Sequence, residues 1–157
     1  MLKALRHRIL FSLIIAAGLT GTAVLAHHGV SGQYDSSSPI VLAGMVTRAT
    51  FAPPHPVLSV RVEGREVPAL DPNRPDEFTG PFIAREEDIG EVREVEFSPV
   101  GEFYALRDRI RVGDRVTVLA LRNCRPPHEL RSSWIQLSSG QVISYSGGLH
   151  RRVDGCS

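Results

Sequence analysis

The sequence predicts an all-β fold with one short helix, a small OB-fold-like β-barrel of about five strands. Apolar and polar residues alternate in separate stretches, the period of a strand with one face on a core. Proline and glycine punctuate the gaps, and a single short helical pattern falls between the third and fourth strands. A small open β-sandwich is the alternative, because twisted antiparallel sheets of this size share the same strand spacing.

The first 26 of the 157 residues have the layout of a secretory signal. Lys3, Arg6 and Arg8 form a positive start, and Ile9 to Ala26 carries no charge. Val24-Leu25-Ala26 then supplies small or apolar residues at the cleavage point. An uncleaved membrane anchor is the competing reading. A span needs about 20 strongly apolar residues, and Thr20, Gly21 and Thr22 dilute this run. A cut after Ala23 is the other option; Ala26 is favoured because it leaves a longer polar segment behind the apolar core.

Cleavage leaves 157 − 26 = 131 residues, enough for one core. It also removes three of the 18 basic residues and none of the 17 acidic ones, so the balance becomes 15 against 17, a net of −2. A weakly acidic domain lacks the basic footprint of a nucleic-acid binder, and a full chain with 6% aromatic residues gives little support for a stacking surface. No nucleic-acid partner is expected, and no membrane association after cleavage.

The elements follow in order. Residues 27–38 are small and polar after the histidines and read as an irregular strap. After Pro39, IVLAGMVTRATF is a long first strand, with Gly44 marking a bulge or sharp coil. The prolines of APPHPV break it. VLSVRVEGREVPAL reads as a hairpin turning at Glu63-Gly64. Residues 71–90 form a polar, solvated insertion; the acidic run Glu86-Glu87-Asp88 lacks the alternating oxygen ligands and central glycine of a calcium loop.

EVREVEFSPV is the next strand, and Ser98 with Pro99 predicts a capped helix start running to about Ile110. IRVGDRVTVLAL turns at Gly113-Asp114 into a strand, and SSWIQL and QVISYS form a terminal hairpin around Ser139-Gly140. From residue 39 to residue 157 the chain is therefore one barrel domain.

Cys124 and Cys156 read as a disulfide in an exported chain, contributing roughly 3–4 kcal/mol by loop closure. The rival reading makes Cys124 and His128 a nucleophile–base pair of a hydrolase, or metal ligands. No serine sits in a nucleophile elbow, no glycine-rich phosphate loop is present, and Asp35 and Glu102 are single carboxylates. The chain is not read as an enzyme. Trp134 falls at a strand position and is expected in the core, and His128 and His150 in solvent.

The chemistry that stands out is at the cut site. Cleavage after Ala26 makes His27 the first residue, with an α-amino group and an imidazole that chelate a metal together. One further imidazole completes the nitrogen-rich arrangement that suits Cu(II). His28 is adjacent, and His55, in a loop stiffened by Pro53, Pro54 and Pro56, is the candidate from elsewhere. Copper is the expected cofactor. The alternative is that these histidines are ordinary terminal and loop residues.

Ala26-His27-His28, Tyr34-Asp35, Pro39, Gly44-Met45-Val46, Pro54-His55, Ser98-Pro99 and the run from Val112 to Val118 occur in an order that resembles DUF6152. This is a family of small bacterial exported proteins of unknown function. Pro53 stands where that family usually has asparagine. The resemblance implies a periplasmic or secreted β-domain and puts His27, His28 and His55 among its landmarks. The resulting expectation is an exported, non-enzymatic barrel that binds copper through its amino-terminal histidines. The alternative is a metal-free module of the cell envelope that holds an unknown envelope protein or a small ligand.

Overall fold

The computed structural model describes residues 32–65, 67–70, 72, 76–147 and 151–156. Among these residues seven strands are formed: β1 (Gln33–Thr50), β2 (Val57–Val62), β3 (Val92–Phe97), β4 (Arg115–Asn123), β5 (Leu130–Leu137), β6 (Val142–Ser144) and β7 (Arg151–Val153). A short helix, α1 (Gly101–Tyr104), lies between β3 and β4. Five strands close on themselves in the order β1-β2-β3-β5-β4 and back to β1. Every pair is antiparallel except β3–β5. This is the OB-type barrel that strand count and helix position predict. β6 extends β5 as a hairpin, and β7 lies parallel on the start of β1.

Closure depends on the length of β1. Its 18 residues pair with β4 up to Met45 and with β2 from Gly44 onward, so one strand serves both edges of the seam. Gly44 belongs to both pairings, and a Cβ there would lie 1.9 Å from the Arg61 carbonyl oxygen. Only glycine permits that approach. Inward residues of the five strands form one core that includes Leu42, Val60, Val95, Phe97 and Ile135, and Phe103, Leu106 and Ile110 of the α1 region cover it.

Five local expectations are corrected. The strap is strand from Gln33: Tyr34 and Asp35 pair with Asn123 and Arg122, and the irregular part is the bulge between Asp35 and Ile40. Pro39, which has no N–H, sits in that bulge. The β2 hairpin has no second arm among the described residues, because β2 has β1 on one edge and β3 on the other. Ser98 does not cap α1. Its N–H donates to the Ser132 carbonyl at 3.2 Å, prolonging β3 on β5, and Val100 precedes the helix instead. The helical region is also shorter, α1 passing into a 3-10 turn over Ala105–Asp108.

The fifth correction concerns the insertion, which packs against the barrel rather than standing in solvent. Phe78 joins Tyr34, Val41, Leu119, Leu121 and Trp134 in a second apolar cluster. These residues alternate with the inward ones of β1 and β4, so the cluster sits on the outside of the barrel. Backbone bonds fix it there: the Val41 N–H donates to the Ile83 carbonyl at 2.8 Å and the Ile83 N–H to Pro39 at 3.0 Å. Trp134 is buried, as expected, but beneath this insertion.

Cys124 and Cys156 form a disulfide 32 residues apart in sequence, beside the β1–β7 pairing. Replacing both with serine is expected to lower stability by about 3–4 kcal/mol, because the unfolded chain regains the loop entropy. Urea unfolding measures this; a loss below about 1 kcal/mol would mean that the bond does not constrain the unfolded chain.

Candidate functional site

His27 and His28 lie outside the described residues. The described chain enters at Gly32 and runs straight into β1, whereas His55 follows the other end of that strand. Of the three expected ligands, only His55 falls among the described residues. His55 itself is half-buried in the β1–β2 loop, and its Nδ1 is shielded from solvent with no hydrogen-bond partner among the described residues. The loop is braced on both sides: the Tyr104 hydroxyl donates to the Pro54 carbonyl at 3.0 Å and the Phe97 N–H to Pro56 at 2.8 Å. No group of three or more His, Cys, Asp or Glu side chains able to hold a metal occurs among the described residues.

The disulfide settles the role of Cys124: it is not a free thiol, so the nucleophile–base pair with His128 is not formed. His128 instead occupies the β4–β5 loop with φ 64°, a left-handed conformation uncommon outside glycine. Its Nδ1 lies 3.0 Å from the Asn123 carbonyl oxygen. A carbonyl can only accept, so Nδ1 carries a proton in this contact and Nε2 is the ring nitrogen left outside it. His150, like the terminal pair, falls outside the described residues.

The outer face of β2 and β3 presents Val57, Ser59, Arg61, Val92, Glu94 and Glu96, by the alternation of each strand and their register. Arg48 pairs with Glu94, and Arg131 with Glu96 at 2.7 Å. Arg131 also lies over the Tyr34 ring, 5.5 Å from its centroid. Burial raises the Tyr34 phenol above its ordinary value, and the charge of Arg131 opposes that rise.

A cleft of about 400 Å³ opens beside this face, lined by Arg85, Glu87, Arg93, Arg122, His128 and Glu129, with Val92 and Leu130 as its apolar part. The barrel builds it by simple alternation. On β3 the inward series Phe97, Val95 continues to Arg93, and on β4 the inward series Val118, Ala120 continues to Arg122. Both arginines thus fall where the inward rows run out, at a barrel mouth. The sequence carried this signal in EVREVEF and VTVLALRN, where an arginine takes the next inward slot; it was missed because only the apolar members were followed. Arg85 and Arg93 both bind the carboxylate of Asp88, which is 0% exposed. Arg122 has no ion-pair partner among the described residues.

Residues 15–70 match the model of a family of unknown function, DUF6152. The resemblance seen in the amino-terminal third, from the histidine pair through Pro54-His55, falls inside the matched segment. No curated protein matches the chain. Two solved structures do, both of the fission yeast protein Pot1 with single-stranded DNA. The first is 12% identical, with a TM-score of 0.38, over 92% of this chain and 46% of that one; this chain thus spans under half of its length. The second, the Pot1pC portion from Schizosaccharomyces pombe, is also 12% identical, with a TM-score of 0.37, over 75% of this chain and 86% of that one.

These matches correct one expectation. Nucleic acid was excluded as a partner on net charge and aromatic content, yet both similar structures are of a protein bound to single-stranded DNA. Composition of the whole chain does not determine what one face of an OB-type barrel binds, so the exclusion is withdrawn. At these TM-scores the likeness does not assign DNA to this chain either.

Proposed function

We propose that this chain is an exported, non-enzymatic binding domain whose mature amino terminus takes up Cu(II) through His27 and His28, with His55 as a further ligand. Support for export comes from the signal layout of the first 26 residues and from the Cys124–Cys156 bond, since disulfides persist in oxidising compartments. Support for the metal comes chiefly from His55. Its loop is pinned by Tyr104 and Phe97, and a shielded ring nitrogen is left without a protein partner. Such a group costs about 1–3 kcal/mol in a folded protein, and a second role accounts for its retention. The copper ring itself would form at His27, from its amine and imidazole.

The test is a Cu(II) titration of the exported protein followed by thermal unfolding. Copper is expected to raise the midpoint, and His27→Ala and His55→Ala are each expected to reduce that rise. A rise that both variants retain in full would remove these histidines from the site. A metal-free protein that shows no rise at all supports the competing reading, a binding module that works through the barrel surface.

A further inference from the structure

We infer that the cleft at the barrel mouth, between β3, the end of β4 and the β4–β5 loop, binds a hydroxylated carboxylate of the sugar-acid type. This is a second site, independent of copper at the amino terminus. Barrel mouths are a recurrent place for small-molecule sites, and about 400 Å³ lies within the range that such ligands fill. On OB-type barrels the β2–β3 face and the β4–β5 loop are the usual binding surface.

The charges in the cleft are divided unequally. Asp88 engages both Arg85 and Arg93, holding them in place and neutralising part of their charge. Arg122 is uncommitted, and its guanidinium is a planar fork that matches a carboxylate. His128 stands beside it in a left-handed backbone conformation that its own side chain bond to Asn123 helps hold. Non-glycine residues kept in that region cluster at binding and active sites. The bond commits Nδ1, so Nε2 is the ring nitrogen left to meet a hydroxyl.

The remaining lining decides the ligand class. Glu129 borders the cleft, as do Glu87, 3.7 Å from Arg85, and Glu94, which is paired with Arg48. With Arg48 counted against Glu94 and Asp88 behind the lining, four arginines face four carboxylates, a balance that cannot accommodate a dianion such as phosphate. One negative charge can be met by Arg122, while hydroxyl groups donate to the glutamates and meet His128 Nε2. A sugar acid offers both on one small ring, either free or at the end of an acidic oligosaccharide.

The experiment is calorimetric titration of the purified protein with galacturonate, tetragalacturonate, galactose and inorganic phosphate. Galacturonate is expected to bind, and galactose and phosphate at least about tenfold more weakly, the worth of one charge-assisted pair. Tetragalacturonate binding more tightly than the monomer would identify the oligosaccharide as the source; equal binding would identify the free acid. Arg122→Gln is expected to weaken binding tenfold or more and Arg122→Lys to restore only part of it. His128→Asn, which tolerates the left-handed backbone, is expected to weaken it several-fold with the unfolding midpoint retained. No binding of either uronate, equal binding of galactose, preference for phosphate, or full affinity in Arg122→Gln would each overturn the assignment.

Discussion

Asp88→Asn is expected to destabilise the protein by about 3–5 kcal/mol, the cost of leaving buried charges without their partner. Asp88 is 0% exposed and receives Arg85 at 2.7 and 2.9 Å and Arg93 as well. Nothing in the sequence run Glu86-Glu87-Asp88 separates the third carboxylate from the other two. The fold does, by placing Asp88 at the end of a 3-10 turn against the first residues of β3. Asparagine keeps the shape but removes the charge that two guanidinium groups face, and one of them is only 21% exposed. Equilibrium urea unfolding at neutral pH measures the loss. Glu86→Gln is the internal contrast: its pair with Arg65 is exposed on both sides and should change stability by no more than about 0.5 kcal/mol. Equal effects in the two variants would contradict the assignment of Asp88 as the centre of a buried charge cluster.

Trp134→Ala should cost about 3–5 kcal/mol, because a large buried side chain is deleted from a cluster that cannot fully collapse. Trp134 is packed with Tyr34, Val41, Phe78, Leu119 and Leu121 on the outside of the barrel. That location gives the substitution a second signature. Phe78 belongs to the insertion, so loss of Trp134 should loosen the chain between β2 and β3 and expose it to limited proteolysis. A core substitution of similar size, such as Phe97→Ala, should lower stability without that selective cleavage, since Phe97 packs on Phe103 inside the barrel. If both variants were cleaved first at the same sites, the insertion would not be docked through this cluster.

The barrel was legible because its strands are half-buried and declare themselves by alternation. Leu58, Val60 and Val62 in β2, and Val116, Val118 and Ala120 in β4, all occupy the inward row. Gly113 and Gly140 were equally readable, each taking a positive φ at the turn assigned to it. The insertion was not legible. Two phenylalanines, Phe78 and Phe82, among prolines and charges give no period, and only the tertiary structure shows that they meet an apolar outer face of β1, β4 and β5. That face could have been noticed, since β4 reads as a continuous apolar run from Val118 to Leu121, the pattern of a strand covered on both sides.

The missing cap has a similar cause. Ser98-Pro99 is a sound local start for a helix, but pairing with Ser132 holds the Ser98 backbone on the sheet and buries its hydroxyl. For the candidate sites, residue chemistry singled out His27, His28 and His55, while Arg93 and Arg122 became visible only when the inward rows of β3 and β4 were followed to their ends. Periodicity marks what a strand buries; it does not by itself mark what the barrel mouth collects.

The central claim is that a free amine on His27 forms part of a copper site. Cu(II) affinity should be compared between the protein beginning at His27 and the same protein carrying one additional residue ahead of it. The added residue moves the amine off the histidine and breaks the small chelate ring, so affinity should fall by about tenfold or more. Equal affinity for the two forms would contradict the claim.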